Sequence, residues 1–244
     1  MDKENNKHLV FGIISLLVLF FAMAIFIFNI GYKTSASKAS DFNKFYADLL
    51  TKHKHSYEVD RLFIDAAPEK YADFFYKYAE GIKVIINNKT LEFVSEKGLE
   101  EKNYTRVKFY SYMLFIPEIN SHLIREDWYE GNQYILINNE TGATQDIWNI
   151  PHISPQKNRL AIVNKDMIAG YTANGIQIFE IVSGNYIKQF ERQLEWGAAD
   201  PRWQNNDTLS VDKYVFNIKN EKYPEKLIGQ TAVKRVAEEW IILD

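Results

Sequence analysis

From Ile82 onward this chain repeats a pattern of two apolar runs joined by a short polar turn. The repeats are IKVIINNKTLEFV, YILINNETGATQDIW and IQIFEIVSGNYIKQF, and each has Asn-Asn or Ser-Gly near its centre. Asn and Gly accept the positive φ angles that tight hairpin turns require. The pattern predicts antiparallel β-hairpins, and therefore a β-rich domain over residues 82–244.

The segments between these hairpins also correspond. PHISPQKNRLAIV and PRWQNNDTLSV place Leu160 and Leu209 at equivalent positions, and a spacing of about 50 residues with four short strands is typical of a repeat unit. Because alternate strand residues share a face, each repeat should bury one set of apolar side chains. These are Ile135, Ile137, Leu160, Ile162, Ile176, Ile178 and Leu209. The residues expected at exposed hairpin tips are Asn138, Asn139, Ser183 and Gly184.

The turn sequence SPQKNRLA at Ser154–Ala161 resembles the SPDGKxLA motif of TolB-like and WD40-like β-propeller proteins. The resemblance covers roughly residues 133–219, with Tyr134–Val163 matching one repeat. Gln156 and Lys157 depart from the Asp-Gly of the family, and no Trp-Asp dipeptide is present. The resemblance implies blade-like four-stranded sheets, and it implies no activity.

The expected fold is α+β and mostly β: a transmembrane helix, a short helical segment, and then blade-like antiparallel β-meanders. Closed propellers have about four to eight blades, whereas this chain has room for about three to four units. A partial propeller leaves open sheet edges that need covering. The amino-terminal helices and the carboxyl-terminal run VKRVAEEWIILD are the expected covers.

Residues 41–81 are predicted to form the helical cap region. Asp41 is placed to cap a first helix, whose apolar residues recur at helical spacing: Phe42, Phe45, Tyr46, Leu49 and Leu50. SYEVDRLFI is predicted to be a strand. Pro68 is predicted to begin a second helix that ends at Gly81. Its aromatic stripe is typical of core packing: Tyr71, Phe74, Phe75 and Tyr78.

Residues 9–30 carry no charged side chain, and only Ser15 and Asn29 are notably polar. About 20 such residues span a bilayer as a helix, whereas the apolar stretch of a signal peptide has roughly 7 to 15. We predict an uncleaved transmembrane anchor, preceded by a cytoplasmic tail at residues 1–8 and followed by a tether at residues 31–40. The small residues of TSASKAS leave a cleaved signal peptide as the alternative.

The flanking lysines do not decide the orientation of this anchor. The short tail and the likeness to a long signal sequence favour a periplasmic domain on a bacterial inner membrane. A large eukaryotic ectodomain without cysteine would be unusual, and this chain has none. Its N-x-S/T sequons are therefore interpreted as turns: Asn88, Asn103, Asn139 and Asn206.

Composition excludes several classes of function. The net charge of −3 and a pI of about 6.0 show no excess of positive charge that would attract nucleic acid. The absence of cysteine excludes disulfides, thiolate catalysis, Cys-based zinc sites and a lipoprotein anchor. The sequence has no nucleophile elbow, P-loop, zincin or dinucleotide motif.

The histidines are weak candidates for a metal-binding or catalytic site. His53 and His55, followed by Glu58 and Asp60, would share a face on a strand and could meet one metal ion. Their setting in TKHKHSYE favours a solvated polar loop instead. His152 follows Pro151 in a predicted turn and is expected to be structural or exposed.

The remaining candidates are also interpreted structurally. Ser121 and His122 are adjacent in sequence, which is no evidence that they meet as nucleophile and base. Turn or strand-end positions are assigned to Glu126, Asp127 and Asp200, and loop positions to Gly170 and Gly175. Buried packing is favoured over sugar stacking for the tryptophans at 128, 148, 196, 203 and 240. No catalytic, cofactor or metal residue is predicted.

Three functional hypotheses follow. The favoured one is a membrane-anchored periplasmic protein that binds a protein partner, as envelope assembly factors and toxin-neutralising immunity proteins do. The second is a structural subunit of a membrane complex, although residues 9–30 lack the G-x-x-x-G packing motif. The third is an enzyme acting on envelope polymers, which would need two carboxylates converging in one cleft.

Overall fold

The computed structural model describes residues 41–53, 55–87, 89–96, 107–217 and 225–243. The predicted tail, anchor and tether at residues 1–40 lie outside the described residues, as do the sequons at Asn88 and Asn103. No helix in the described ranges is long and apolar enough to cross a membrane.

Within the described ranges two helices precede fifteen strands, and a 3₁₀ turn follows the fourth strand. The helices are α1 (Asp41–Lys52) and α2 (Ser56–Lys70), and the 3₁₀ turn is Pro117–Ile119. The strands are β1 (Phe75–Tyr78), β2 (Gly81–Ile86), β3 (Lys89–Val94), β4 (Phe109–Ile116), β5 (Ser121–Asp127), β6 (Asn132–Asn138), β7 (Thr144–Ile147), β8 (His152–Ile153), β9 (Arg159–Asn164), β10 (Gly175–Val182), β11 (Asn185–Gln193), β12 (Gly197–Asn205), β13 (Thr208–Phe216), β14 (Glu225–Val236) and β15 (Glu239–Leu243).

The strands form four antiparallel sheets in chain order, so the prediction of a mostly β chain with hairpin meanders is confirmed. Sheet I contains β1–β3, sheet II contains β4–β7, sheet III contains β8–β11 and sheet IV contains β12–β15. Within each sheet, strands that follow one another in sequence are neighbours. The run VKRVAEEWIILD was expected to cover a sheet edge. It instead forms the β14–β15 hairpin of sheet IV, because its apolar residues pair across that hairpin.

Helix α1 confirms the first predicted helix, but its amino end is capped differently. The Glu118 carboxylate accepts the backbone N–H of Asp41 at 2.9 Å and that of Phe42 at 3.0 Å. A negative charge at this end also interacts favourably with the helix dipole. Asp41 is therefore the first helical residue, and the cap comes from the 3₁₀ turn before β5.

The remaining boundaries predicted for the cap region are wrong. SYEVDRLFI belongs to α2, and Pro68 lies inside this helix instead of beginning one. The aromatic residues assigned to a second helix lead into β1, where Phe75 pairs with Val84 of β2. Their spacing fits a helix in isolation, and the pairing with β2 decides against it. The β region thus begins before Ile82. Helix α2 is stable because it buries one face: Val59, Asp60, Phe63 and Ala67.

Four-stranded units do repeat along the chain, but the repeat boundaries expected from the sequence differ from the boundaries of the sheets. Tyr134–Val163 covers the last two strands of sheet II and the first two of sheet III. Leu160 and Leu209 both lie on the second strand of their sheets and are fully buried, which confirms their equivalence. All seven apolar residues predicted to be buried are buried.

The hairpin tips agree only in part with the prediction. Ser183 is exposed, and Ser183 and Gly184 have φ angles of 48° and 74°. Asn138, expected to be exposed, is 3% exposed. Its side-chain oxygen accepts the backbone N–H groups of Glu140 and Thr141, which draws the residue inward. Asn139 is half-buried for a different reason, a hydrogen bond with His122.

The SPQK turn joins β8 to β9 as a closed loop. The backbone N–H of Lys157 donates to the Ser154 carbonyl at 2.9 Å, and Ser154 Oγ accepts the Arg159 N–H at 3.0 Å. Lys157 has a φ of 60° and so occupies the left-handed conformation that glycine, the family's residue here, adopts without strain.

Three apolar clusters hold the sheets together. One joins sheet I to sheet II, a second joins both helices to sheets II and III, and a third joins sheet III to sheet IV. None of these clusters, formed by residues within the described ranges, combines sheets I and IV. Buried Arg159 also ties sheet III to sheet IV, because its guanidinium donates to the Asn206 carbonyl and the Asp207 carboxylate.

The strands connect two ends of the domain. At the entry end, where α1 begins, the turns at residues 117–120, 139–143, 154–158, 183–184 and 206–207 lie together. Contacts between Asn139 and Asn120 and between Thr141 and Gly184 link these turns. At the far end lie the loops at residues 128–131, 165–174 and 194–196. Asn174 donates to the carbonyls of Leu194 and Trp196 there.

Candidate functional site

A cleft of about 550 Å³ opens at the far end, between the helices and sheets III and IV. Its walls come from α1, the β7–β8 connection, the end of β9 and the start of β12. Both apolar and polar side chains line it, among them Leu50, Ile150, His152, Val163, Asp200 and Arg202. A cleft of this size accepts a small ligand or a side chain of a partner.

His152 lies in β8 at this cleft and is partly accessible, so the expectation of a turn is wrong. Its backbone carbonyl accepts the indole N–H of Trp203 at 2.9 Å, and its ring stands edge-on to Tyr46. Burial lowers the pKa of His152 to about 4. The imidazole is therefore neutral near pH 7, and one ring nitrogen retains a lone pair.

Asp200 lies at a β-bulge on the cleft, where the register of β12 shifts between Ala199 and Arg202. Its φ is 49°, a conformation that non-glycine residues adopt rarely and that Asp and Asn tolerate best. Bulges of this kind redirect side chains near binding sites. Among the described residues, the Asp200 carboxylate forms no ion pair within 4.0 Å.

Two cations also line the cleft, and each is paired with a carboxylate. Arg202 forms a salt bridge with Asp212 of β13, and Lys165 forms one with Glu225 of β14. The Lys165 ammonium also lies 4.4 Å from the centre of the Tyr214 ring. Asp200 is thus the one charged residue of the cleft lining that has no salt-bridge partner in the part of the chain that the structure describes.

The loop at residues 165–174 beside the cleft is organised by Asp166. One carboxylate oxygen accepts the backbone N–H groups of Ala169 and Gly170, and the other accepts those of Tyr171 and Thr172, at 2.8–3.0 Å. Burial opposes ionisation of Asp166, but the four donors outweigh it and lower its pKa. The loop is therefore held in one conformation.

Three large apolar side chains protrude from the far end, and we call them the far-end surface. Tyr129 is 66% exposed, Ile168 63% and Tyr171 45%. Thr172 Oγ1 donates to the Asn132 carbonyl at 2.9 Å, which joins the two loops that carry these side chains. A hydrogen bond to Glu130 raises the pKa of Tyr171. No sequence signal identified this surface, because single exposed aromatics on loops have no periodicity.

The His53–His55 pair lies at the junction of α1 and α2 and does not form a shared face. His53 Nδ1 lies 3.8 Å from Glu58, and His55 stacks on Tyr57. Across the described ranges, no group of three or more His, Asp or Glu side chains is placed to hold a metal ion. Asp60, the last member of that sequence cluster, is buried elsewhere.

Asp60 forms an ion pair inside the domain that the sequence analysis missed. Its carboxylate accepts from the Arg125 guanidinium and, at 2.7 Å, from the Tyr134 hydroxyl. Arg125 Nε also donates to Asp127 at 2.8 Å. Burial raises the pKa of Asp60, against the lowering effects of Tyr134 and Arg125. This cluster fixes α2 on sheet II, and its own residues are not among the described residues that line the far-end cleft.

Ser121 and His122 are both fully buried and do not act on each other. Ser121 Oγ lies 2.6 Å from the Tyr186 hydroxyl. The ring nitrogens of His122 contact Tyr112 and Asn139 at 2.8 and 3.0 Å, and burial lowers the His122 pKa. These are structural contacts.

The other sequence candidates also have structural roles. Glu126 is 2% exposed and bridges β4, β5 and β6 through Lys108, Tyr110 and Gln133. Gly170 has a φ of 67° in the Asp166 loop. Two tryptophans form a buried edge-to-face pair, Trp203 and Trp240. The other three tryptophans are half-buried, at positions 128, 148 and 196.

Comparison with known proteins leaves this geometry as the main guide to function. No protein-family model matches the chain, and no curated protein matches it at a significant level.

Proposed function

We propose that the protein is a single-pass anchored periplasmic protein that binds a protein partner through its far-end surface. The observation that carries this proposal is the pair of joined loops that expose Tyr129, Ile168 and Tyr171. Exposed aromatic side chains on rigid loops give large contact areas at a small entropic cost, and such residues dominate binding energies at protein interfaces. The Asp166 hydrogen bonds supply that rigidity.

The uncharged run at residues 9–30 supports the anchor, and the short tail before it and its likeness to a long signal sequence support the periplasmic orientation. The four sheets and the SPQK turn support a partial, blade-like arrangement. An envelope assembly factor and a toxin-neutralising immunity protein both fit this description. Genes adjacent to its own would distinguish them, because an immunity protein is typically encoded beside its toxin.

The chemistry of the cleft supports binding over catalysis. A glycosidase-type mechanism requires two carboxylates that flank one bond. Asp200 is the sole acidic side chain among the described residues that line the cleft. A structural subunit of a membrane complex is the second candidate, and it would place its contacts along residues 9–30 instead of the far end.

Photocrosslinking in the native envelope tests the proposal. A photoreactive residue at position 129 should give one discrete crosslinked protein, because this position lies in the interface. The matched control is position 182 at the entry end, since Val182 is also about half exposed, at 49%. Equal crosslinking at both positions, or none at 129, would reject the far-end surface as the binding site.

The orientation has its own test. A reporter enzyme that is active only after export, fused after Asp244, is expected to be active. Activity of a cytoplasmic reporter at the same position instead would place the domain on the other side of the membrane. Mass spectrometry of the membrane-extracted protein should detect residues 9–30, and a mature amino terminus near Ser37 or Ser40 would show a cleaved signal peptide.

A further inference from the structure

The far-end cleft contains polar groups that the proposed protein-recognition role does not use. Asp200 has no ion-pair partner, and neither ring nitrogen of His152 has a hydrogen-bond partner, among the described residues. Both groups line the same cleft of about 550 Å³. A carboxylate and a neutral imidazole can both accept N–H donors, so they match one kind of ligand.

The remaining walls suit an aliphatic chain. Leu50, Ile150, Val163 and Pro201 line the cleft beside the polar groups. The Tyr46 ring, which meets His152 edge-on, adds an aromatic surface. Long cationic side chains place their methylene stem along such apolar surface and direct the charged head to a polar partner.

The electrostatic balance of the cleft favours a cation. Lys165 and Arg202 are each engaged by a carboxylate, Glu225 and Asp212. Among the described residues, Asp200 therefore leaves one negative charge at this site without an opposite charge. An anion would meet two cations whose charges are already balanced by Glu225 and Asp212, and it would be repelled by the Asp200 carboxylate. A cation can bind without breaking a described contact.

The backbone conformation of Asp200 also supports a binding site in the cleft. Asp200 has a φ of 49° inside a strand, and non-glycine residues in this conformation cluster at active and binding sites. The bulge at residues 199–202 is the feature that places Asp200 beside β8 and β9 at the cleft.

We propose that the far-end cleft binds an aliphatic cation, an alkylguanidinium or alkylammonium group, with Asp200 and His152 accepting its N–H donors. The group can be an arginine or lysine side chain of a protein or a free small amine. This inference does not rest on the protein-recognition role, because the far-end surface and the cleft use different residues.

The test uses the full chain in detergent and four probes of similar size, followed by ligand-observed NMR. Butylguanidinium and pentylammonium should bind saturably with a Kd of about 1 mM or below. Neutral pentanol should bind at least about tenfold more weakly, and pentanoate should not compete. Pentanoate binding as well as the cations would overturn the proposal, and so would the absence of saturable cation binding.

Two variants locate the site. Asp200→Asn removes the charge while keeping the side-chain size and a residue that tolerates positive φ, and it should weaken cation binding about fivefold or more. Ala47→Trp should block the cleft from α1, because Ala47 lines it. Glu140→Gln and Lys44→Trp are the matched controls, since both positions are exposed and lie outside the lining. Equal effects of variants and controls would contradict the assignment.

A final comparison identifies the source of the cation. A short peptide with a central arginine is compared with the same peptide carrying citrulline and with butylguanidinium. Binding of the arginine peptide about tenfold tighter than butylguanidinium indicates a protein side chain. Equal affinity of the two indicates a free amine. Equal affinity of the arginine and citrulline peptides would overturn recognition of the charge.

Discussion

The rigidity of the loop at residues 165–174 depends on the carboxylate of Asp166. The substitution Asp166→Asn replaces one of its two hydrogen-bond-accepting oxygens with an NH₂ group. The asparagine oxygen can still accept from Ala169 and Gly170, but its NH₂ group cannot accept from Tyr171 and Thr172. Two hydrogen bonds of about 0.5–1.5 kcal/mol each are lost, so the loop should lose about 1–3 kcal/mol of local stability.

Hydrogen exchange measures this loss directly. Protection of the Tyr171 and Thr172 amides should fall about 5- to 150-fold, while that of the β9 amides should stay unchanged, because the loop opens locally. The matched control is Asp146→Asn, a change at an exposed strand residue. Unchanged protection at residues 171 and 172 would show that the Asp166 hydrogen bonds do not hold the loop.

The same loop should respond to pH. Because the pKa of Asp166 is lowered in the folded protein, its contribution to stability is present above the unfolded pKa. That contribution is lost as the pH falls through the folded-state value. Exchange at Tyr171 should therefore lose its protection, relative to β9, only below pH 3.8, the ordinary pKa of an aspartate, as the pH falls towards the lower folded-state pKa.

Four further variants test individual side chains of the structure. Leu160→Ala should lower the free energy of unfolding in urea by about 2–5 kcal/mol, because Leu160 is fully buried. Asn139→Ala should lower it by about 1–3 kcal/mol, because the change leaves a His122 ring nitrogen without its hydrogen-bond partner. Replacement of a turn residue without such a bond should cost less. Asp60→Ala should cost about 3–5 kcal/mol, since it leaves a buried arginine without its partner, and a cost below 1 kcal/mol would contradict the ion pair. Replacing both His53 and His55 with Ala should leave stability and metal content unchanged by calorimetry and elemental analysis, and stoichiometric zinc or nickel lost in the variant would overturn this.

The repeating strands were predictable because short apolar runs and turn residues are local signals. Leu160 and Leu209 were matched correctly on that basis. The expected alternation of buried and exposed residues was wrong, since β6, β9 and β10 each have five consecutive buried residues. Helix α2 was not predicted, because its apolar residues are also compatible with a strand. Strand β1 was missed because the aromatic residues at positions 71–78 also fit helical spacing, although they lead into a local hairpin with β2. The positive φ of Lys157 could not be predicted from its residue type, because lysine adopts this conformation rarely.

The site was harder to predict because it depends on contacts between distant segments. Asp200 and His152 meet at the cleft only after sheets III and IV pack together. Asp60 pairs with Arg125 across the contact between α2 and sheet II. The spacing of these two residues in the sequence does not predict this ion pair. The far-end surface arises from loops whose side chains are exposed, and exposure leaves no pattern in a single sequence.

Tyr129 and Tyr171 are the side chains that we propose recognise a protein partner. The most direct measurement is the affinity of the partner identified by crosslinking for the purified chain and for the double variant Tyr129→Ala/Tyr171→Ala. Loss of two exposed aromatic anchors should weaken binding about 30-fold or more, with an unchanged unfolding transition. Unchanged affinity in a folded double variant would show that the far-end surface is not where this protein binds its partner.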